Sequence, residues 1–214
     1  MTLLEILSKG GWVVIPIYLL SIVALFIFVE RLLVLRKLQI NTNTFVLQIR
    51  NMLLQGQLQD AILLCKKTAG PIAKMTRAGI ENASRPRMEI KDAIESAGKN
   101  EIFHLEKNLG TLSTVASVAP MLGFFGTVTG MIRAFMEIQS RGGNVDAAVL
   151  AGGIWEALIT TAVGLAVGIV SIMFYNHIQG KVEKMVSEMQ AASTELLDTI
   201  LSQTGAKRHE FANK

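Results

Sequence analysis

The 214 residues are enough for one or two domains, yet half of them are hydrophobic, only 18% are charged and the mean hydropathy is +0.42. The apolar residues are gathered in blocks rather than spread periodically, which excludes a plain soluble globule and indicates a membrane protein. The lone cysteine, Cys65, excludes an internal disulfide and reads as a buried structural thiol, and the net charge of +4 matters less than where the charges lie.

The first apolar block is "GWVVIPIYLLSIVALFIFV", residues 11–29, with no charge in it. At about 1.5 Å per residue it covers roughly 28 Å, close to the hydrocarbon thickness of a bilayer. Residues 1–10 carry only Glu5 and Lys9, and the basic residues Arg31, Arg36 and Lys37 follow the block. A cleaved signal needs a basic leader and a shorter apolar stretch, so the block is expected to be a membrane anchor.

Residues 38–108 have no alternating strand pattern and read as helical throughout. "FVLQIRNMLLQG" and "LQDAILLCKKTAG" space their apolar residues by three and four and end at glycines. Gly70-Pro71 and Arg85-Pro86 punctuate the chain, with Pro71 placed to open a helix at its first turn. From Met88, "MEIKDAIESAGKNEIFHLEKNLG" is expected to continue as one helix into the second apolar block, since no proline interrupts it. The basic residues here alternate with acidic ones, as Glu89, Asp92, Glu95, Glu101 and Glu106 do, which fits a solvated face and not nucleic-acid binding. His104 has no second ligand at metal spacing. No phosphate loop, nucleophile elbow or zinc motif is present, so no enzyme, cofactor or metal is expected.

The second block runs from about Leu109 to Ile138 and the third from about Ala148 to Ile178, joined by the short "QSRGGNVDA". They are expected to form an antiparallel hairpin. The tail, "KVEKMVSEMQAASTELLDTILSQ", extends the third span as an amphipathic helix with Val182, Met185, Met189, Leu196 and Ile200 near one face. Lys and Arg crowd the stretch from Arg36 to Lys107 and recur in the tail at Lys181, Lys184, Lys207, Arg208 and Lys214. Only Lys9, Arg141 and Arg133 fall on the other side. The positive-inside rule therefore puts the N-terminus outside, and the large loop and tail in the cytoplasm.

Both hairpin spans carry small and hydroxylated residues. Gly123, Gly126, Gly130 and Ala134 recur every three or four residues, and Gly164-x-x-x-Gly168 answers from the third span. Pro120 joins these glycines as a helix-packing residue, since small residues let membrane helices approach. Thr127 is the polar residue of the second span that stands at a depth comparable to Glu156 and Thr161 of the third. A lipid-facing Glu156 costs at least about 2.5–3.5 kcal/mol near mid-bilayer, so it is expected to face inward. On an ideal helix Thr160 lies about 40° and Thr161 about 140° from Glu156, so the three flank a wide arc and do not point one way. One anchor and one hairpin cannot enclose a water-filled path, so several copies, or another membrane helix, must complete it.

"APMLGFFGTVTGM", "GGIWEALITTAVGL" and the later "YN" resemble the ExbB/TolQ/MotA family of proton-driven stator proteins, and the likeness covers most of the chain. Its length and three spans fit ExbB and TolQ better than MotA. The resemblance implies an all-α protein of the bacterial inner membrane. Its layout would be a periplasmic amphipathic segment over 1–10, spans over 11–30, 109–138 and 148–178, a cytoplasmic helical domain over 31–108, a periplasmic loop over 139–147 and a cytoplasmic helical tail over 179–214. It also implies a homopentamer around a dimer of single-span ExbD- or TolR-like partners that carry a membrane-embedded Asp. Thr127, Glu156 and Thr161 match the family's pore-lining polar residues, and Thr160 stands where other members often have Ala. Proton flow would then energise TonB-dependent transport through a TonB-like protein, or, on a TolQ reading, the Tol-Pal envelope system. A passive membrane scaffold and an autonomous channel are the readings from other classes.

Overall fold

The computed structural model describes residues 11–140 and 147–212, and among these every regular element is an α-helix. In chain order they are α1 (Val14–Leu38), α2 (Thr42–Leu54), α3 (Leu58–Lys67), α4 (Pro71–Glu81), α5 (Arg87–Leu105), α6 (Leu109–Ser140) and α7 (Ala147–Ala212). Three helical stretches are long and apolar enough to cross a membrane. The expected readings of residues 1–10 and of the loop residues 141–146 lie outside the described residues.

The chain divides into two compact units, Met1–Arg31 with Asn108–Ile178, and Leu32–Lys107 with Gln179–Lys214. In the first, α1 packs on the hairpin through Ala24 and Ile27 against Leu112 and Val115, with Leu20, Val167, Phe174 and Tyr175 around them. Phe28 stacks on Phe174 with ring centroids 4.0 Å apart. The outer faces stay apolar and uncovered: Phe26 is 69% exposed, and Leu19, Phe124, Phe135, Leu165 and Ile169 are likewise open. Water could not accommodate a surface of this kind on three long helices, whereas lipid does.

In the second unit, local caps set the helix ends. Asn41 accepts from the Thr44 amide at 3.2 Å and starts α2. Gly56, at φ 75, ends it in a left-handed turn, where the Gly56 and Gln57 amides donate to the Leu53 and Met52 carbonyls at 3.0 and 2.9 Å. Those two bonds are the paired closure that glycine favours at a helix C-terminus. Pro71 is the first residue of α4, where its missing N–H costs nothing. Gly79 lets α4 press against α5 and α7, since a Cβ there would lie 2.8 Å from Ile94 Cδ1 and 3.2 Å from Leu196 Cδ2. The apolar face of the tail is buried against this unit at Val182, Met185, Met189, Leu196 and Ile200. On its polar side the Thr42 hydroxyl donates to Glu188 at 2.9 Å.

One expectation fails. The helix from Met88 does not run unbroken into the second span, because α5 stops at Leu105 and α6 starts at Leu109. Asn108 sits at φ 64, and asparagine is one of the few residues with a side chain that tolerates that region. Its carbonyl then accepts the first bond of α6 from the Leu112 amide at 3.2 Å, and its side-chain amide donates to Glu30 at 3.2 Å. Glu30 also pairs with the buried Arg31 at 2.6 Å.

Cys65 is buried in the second unit, and that burial pushes its thiol up from the usual 9.0 to about 12. At pH 8 the thiolate is then roughly a thousandfold rarer than in a free peptide, and iodoacetamide alkylation is expected to slow by at least that factor. A rate within tenfold of the peptide's would contradict the burial. The sign for stability follows: the raised value favours the neutral thiol of the folded state. Its contribution is full below about pH 9 and is lost as pH climbs towards 12.

Candidate functional site

The hairpin of α6 and α7 is held by a ladder of close backbone approaches. A Cβ on Gly123 would lie 3.1 Å from Gly164 Cα, one on Gly130 would lie 2.9 Å from Ala157 Cβ, and one on Gly153 would lie 2.9 Å from Ala134 Cβ. Gly168 meets Pro120 and lies close to the Ala116 carbonyl, whose usual amide partner four residues on is that proline. Each glycine assigned to packing thus stands where the opposite helix leaves no space for a side chain.

The ladder fixes the register of the polar residues. Thr127 and Thr161 face each other across the hairpin and their hydroxyls are hydrogen-bonded to one another. Thr161 also donates to the Gly123 carbonyl at 3.0 Å, and the Thr127 hydroxyl lies 3.3 Å from the Ala157 carbonyl and 3.4 Å from that of Gly123. Each hydroxyl has one proton to donate and two lone pairs to accept with. The pair and the Gly123 carbonyl therefore form a short hydrogen-bonded file across the two helices. Both threonines are half-buried, so the file touches the surface of the chain.

Thr160 plays another part. It is 1% exposed, its methyl fills the notch left by Gly126, and its hydroxyl donates back to the Glu156 carbonyl at 2.9 Å. It is a packing residue between α6 and α7. Thr114 and Ser117, on the exposed face of α6, also bond back to their own helix, to Gly110 at 2.9 Å and Ser113 at 3.1 Å.

Glu156 stands apart from the threonine pair. Its neighbour Ala157 faces Gly130, so Glu156 lies about one helical turn nearer the loop than Thr127, and not level with it. Its carboxylate reaches Arg133 of α6, Nη1 to Oε1 3.5 Å. It also lies against the backbone of Gly11, whose φ is 66. The sequence alone does not show this arrangement, since Arg133 reads there only as an orientation charge. The signal was present, since Arg133 is the cation of the second span nearest in depth to the carboxylate of the third.

Among the described residues no group of His, Cys, Asp and Glu is placed to hold a metal ion. No buried side-chain nitrogen or oxygen among them lacks a hydrogen-bond partner. Beside its hydroxyls, the hairpin carries one guanidinium, Arg133, and two carboxylates within its spans, Glu137 of α6 and Glu156 of α7.

Comparison with known proteins points the same way. Residues 67–191, which contain the hairpin site, match the model of the MotA/TolQ/ExbB proton channel family. The chain is 31% identical over 193 residues to the putative biopolymer transport protein ExbB homolog of Methanothermobacter thermautotrophicus, covering 88% of this chain and 67% of that one. It is 29% identical over 196 residues to the putative biopolymer transport protein ExbB-like 1 of Synechocystis, covering 91% and 77%. Over 104 residues it is 41% identical to the Tol-Pal system protein TolQ of Haemophilus influenzae, covering 47% and 45%.

Proposed function

Because the chain belongs to the MotA/TolQ/ExbB proton channel family, we propose that it is the stator subunit of a proton-driven inner-membrane motor. Five copies surround a dimer of single-span, ExbD-like partners, and proton flow between them is converted into force that energises TonB-dependent outer-membrane transport. In this reading the N-terminus is periplasmic, and the helices between the first two spans and after the third are cytoplasmic, an orientation supported by the crowding of Lys and Arg there.

The observation that carries this reading is the Thr127–Thr161 hydroxyl pair, which bonds across the two spans while Thr114, Ser117 and Thr160 bond back to their own helices, with Glu156 one turn away. A membrane helix pair held by glycines alone needs none of these groups. The hairpin provides a wall and the partner provides the carrier: an ionisable group of the partner picks up and releases protons beside Thr127 and Thr161, while Glu156 relays or tunes that path. One proton crossing about 100 mV releases roughly 2.3 kcal/mol, several times RT, which is enough to bias a conformational cycle.

The test is proton flux into liposomes. The subunit alone is expected to leak few protons, and the complex with its partner to pass them at a rate that rises with the applied potential. Rapid flux through this chain alone would favour an autonomous channel. No flux in either preparation would favour a passive scaffold. The TolQ relative supports a second reading, in which the output drives the Tol-Pal envelope system. Co-purification with a TolR-like in place of an ExbD-like partner distinguishes the two.

A further inference from the structure

Two unusual features of the first unit converge on one side chain. Arg133 is the one cation of α6, with the exposed Ile132 and Phe135 beside it and Glu137 one turn further along the same helix. Gly11, just before α1, adopts a left-handed backbone (φ 66), and a Cβ there would overlap the Glu156 carboxylate. Arg133 and Gly11 approach that carboxylate from two different segments of chain. The carboxylate meanwhile makes no bond to Thr127 or Thr161, although they lie only about one turn away.

The energetics favour this arrangement. A lone guanidinium or a lone carboxylate in a membrane span is costly, and pairing offsets part of that cost for both. Arg133, across the hairpin from Glu156, thus decides where that carboxylate points. Glycine at position 11 leaves room for the carboxylate in that orientation, and any side chain there would push it back.

From this geometry we infer that Arg133 is a positioning residue for Glu156. It holds the carboxylate in one place beside Gly11, about one turn from the threonine file, and the proton path depends on that placing. The inference rests on the proton-pathway reading above. It adds a residue that sets the access of Glu156 to that pathway.

The experiment uses the intact complex with its partner, in liposomes, with two readouts. One is proton flux, and the other is the infrared band of the Glu156 carboxylate, isolated by difference against Glu156→Gln. Arg133→Gln is expected to lower flux about tenfold with the mass of the complex unchanged, and to displace the band. Arg133→Lys, which keeps the cation, recovers at least half the flux and the original band. Gly11→Ala, with Arg133 still present, displaces the band because its methyl moves the carboxylate. A role in assembly alone would move the mass of the complex and leave flux per assembled complex unchanged. Wild-type flux in Arg133→Gln, with Glu156→Gln inactive, overturns the inference and leaves the pathway reading standing. Full flux in Glu156→Gln removes the pathway reading, and the inference with it.

Discussion

Replacing Glu156 by Gln is expected to reduce proton-driven output to background while the complex still assembles. The substitution keeps the length, shape and most hydrogen-bonding capacity of the side chain and removes only its ability to ionise. Nothing that holds the hairpin together depends on that carboxylate. Thr160 bonds the backbone carbonyl of residue 156, not its side chain, and the nearest rung of the glycine ladder is Gly130 against Ala157. The pair with Arg133 is partly exposed at both ends, with the guanidinium 55% and the carboxylate 35% accessible. Gln at position 156 can still accept a hydrogen bond from that guanidinium through its amide oxygen, so the substitution is not expected to decide assembly. Output and assembly should therefore separate. Output would be measured as proton flux or partner-dependent transport, and assembly as the mass of the purified complex. A Glu156→Gln complex of normal mass and full output would remove Glu156 from the proton path. A complex that fails to form would make it a structural residue.

Much of this architecture is legible in the sequence because the bilayer imposes coarse rules. Runs of about twenty apolar residues mark the spans, and glycines at three- and four-residue intervals mark the surfaces on which helices meet. Gly56 and Gly70-Pro71 marked helix ends for equally local reasons, one by its left-handed turn and the other by a proline that opens α4. The break at Asn108 was hidden because the sequence shows neither Gly nor Pro there, and only the backbone reveals an asparagine in the left-handed region.

The candidate residues are legible in the sequence one by one, but their arrangement is not. Angles on a single helix give the separation of Glu156, Thr160 and Thr161, but not which of them faces the neighbouring helix. That depends on the notch at Gly126, which takes the methyl of Thr160 and so turns Thr161 towards Thr127. The depth of Glu156 relative to Thr127 depends on the register of the ladder, and counting from the loop misjudged it by about one turn. The pairing with Arg133 follows from that same register.

The ladder leads to the second large effect, expected from a single methyl group. In Gly164→Ala the new Cβ would lie 2.6 Å from the Ala119 carbonyl oxygen, 2.7 Å from Gly123 Cα and 3.0 Å from Gly123 N. All three are backbone atoms, so no side chain can swing aside and the two helices must separate. Alanine raises the intrinsic stability of a helix by about 1 kcal/mol over glycine, which opposes the effect. Overpacking typically costs about 1–3 kcal/mol, and here one strut also opens the neighbouring rungs at Gly168 and Gly126, so the loss is expected to win. It should reach the site as well, because Thr161 donates to the carbonyl of the same Gly123 that the methyl displaces. The variant is expected to lower both the melting temperature of the complex and its proton flux. Gly152→Ala is the matched control: it too lies within α7, but nothing stands within 4 Å of its Cβ position. It should gain the helix propensity and keep the flux. If Gly164→Ala melts no earlier than the wild-type complex, or Gly152→Ala proves the more damaging of the two, close backbone contact is not what holds this hairpin and aligns its threonines.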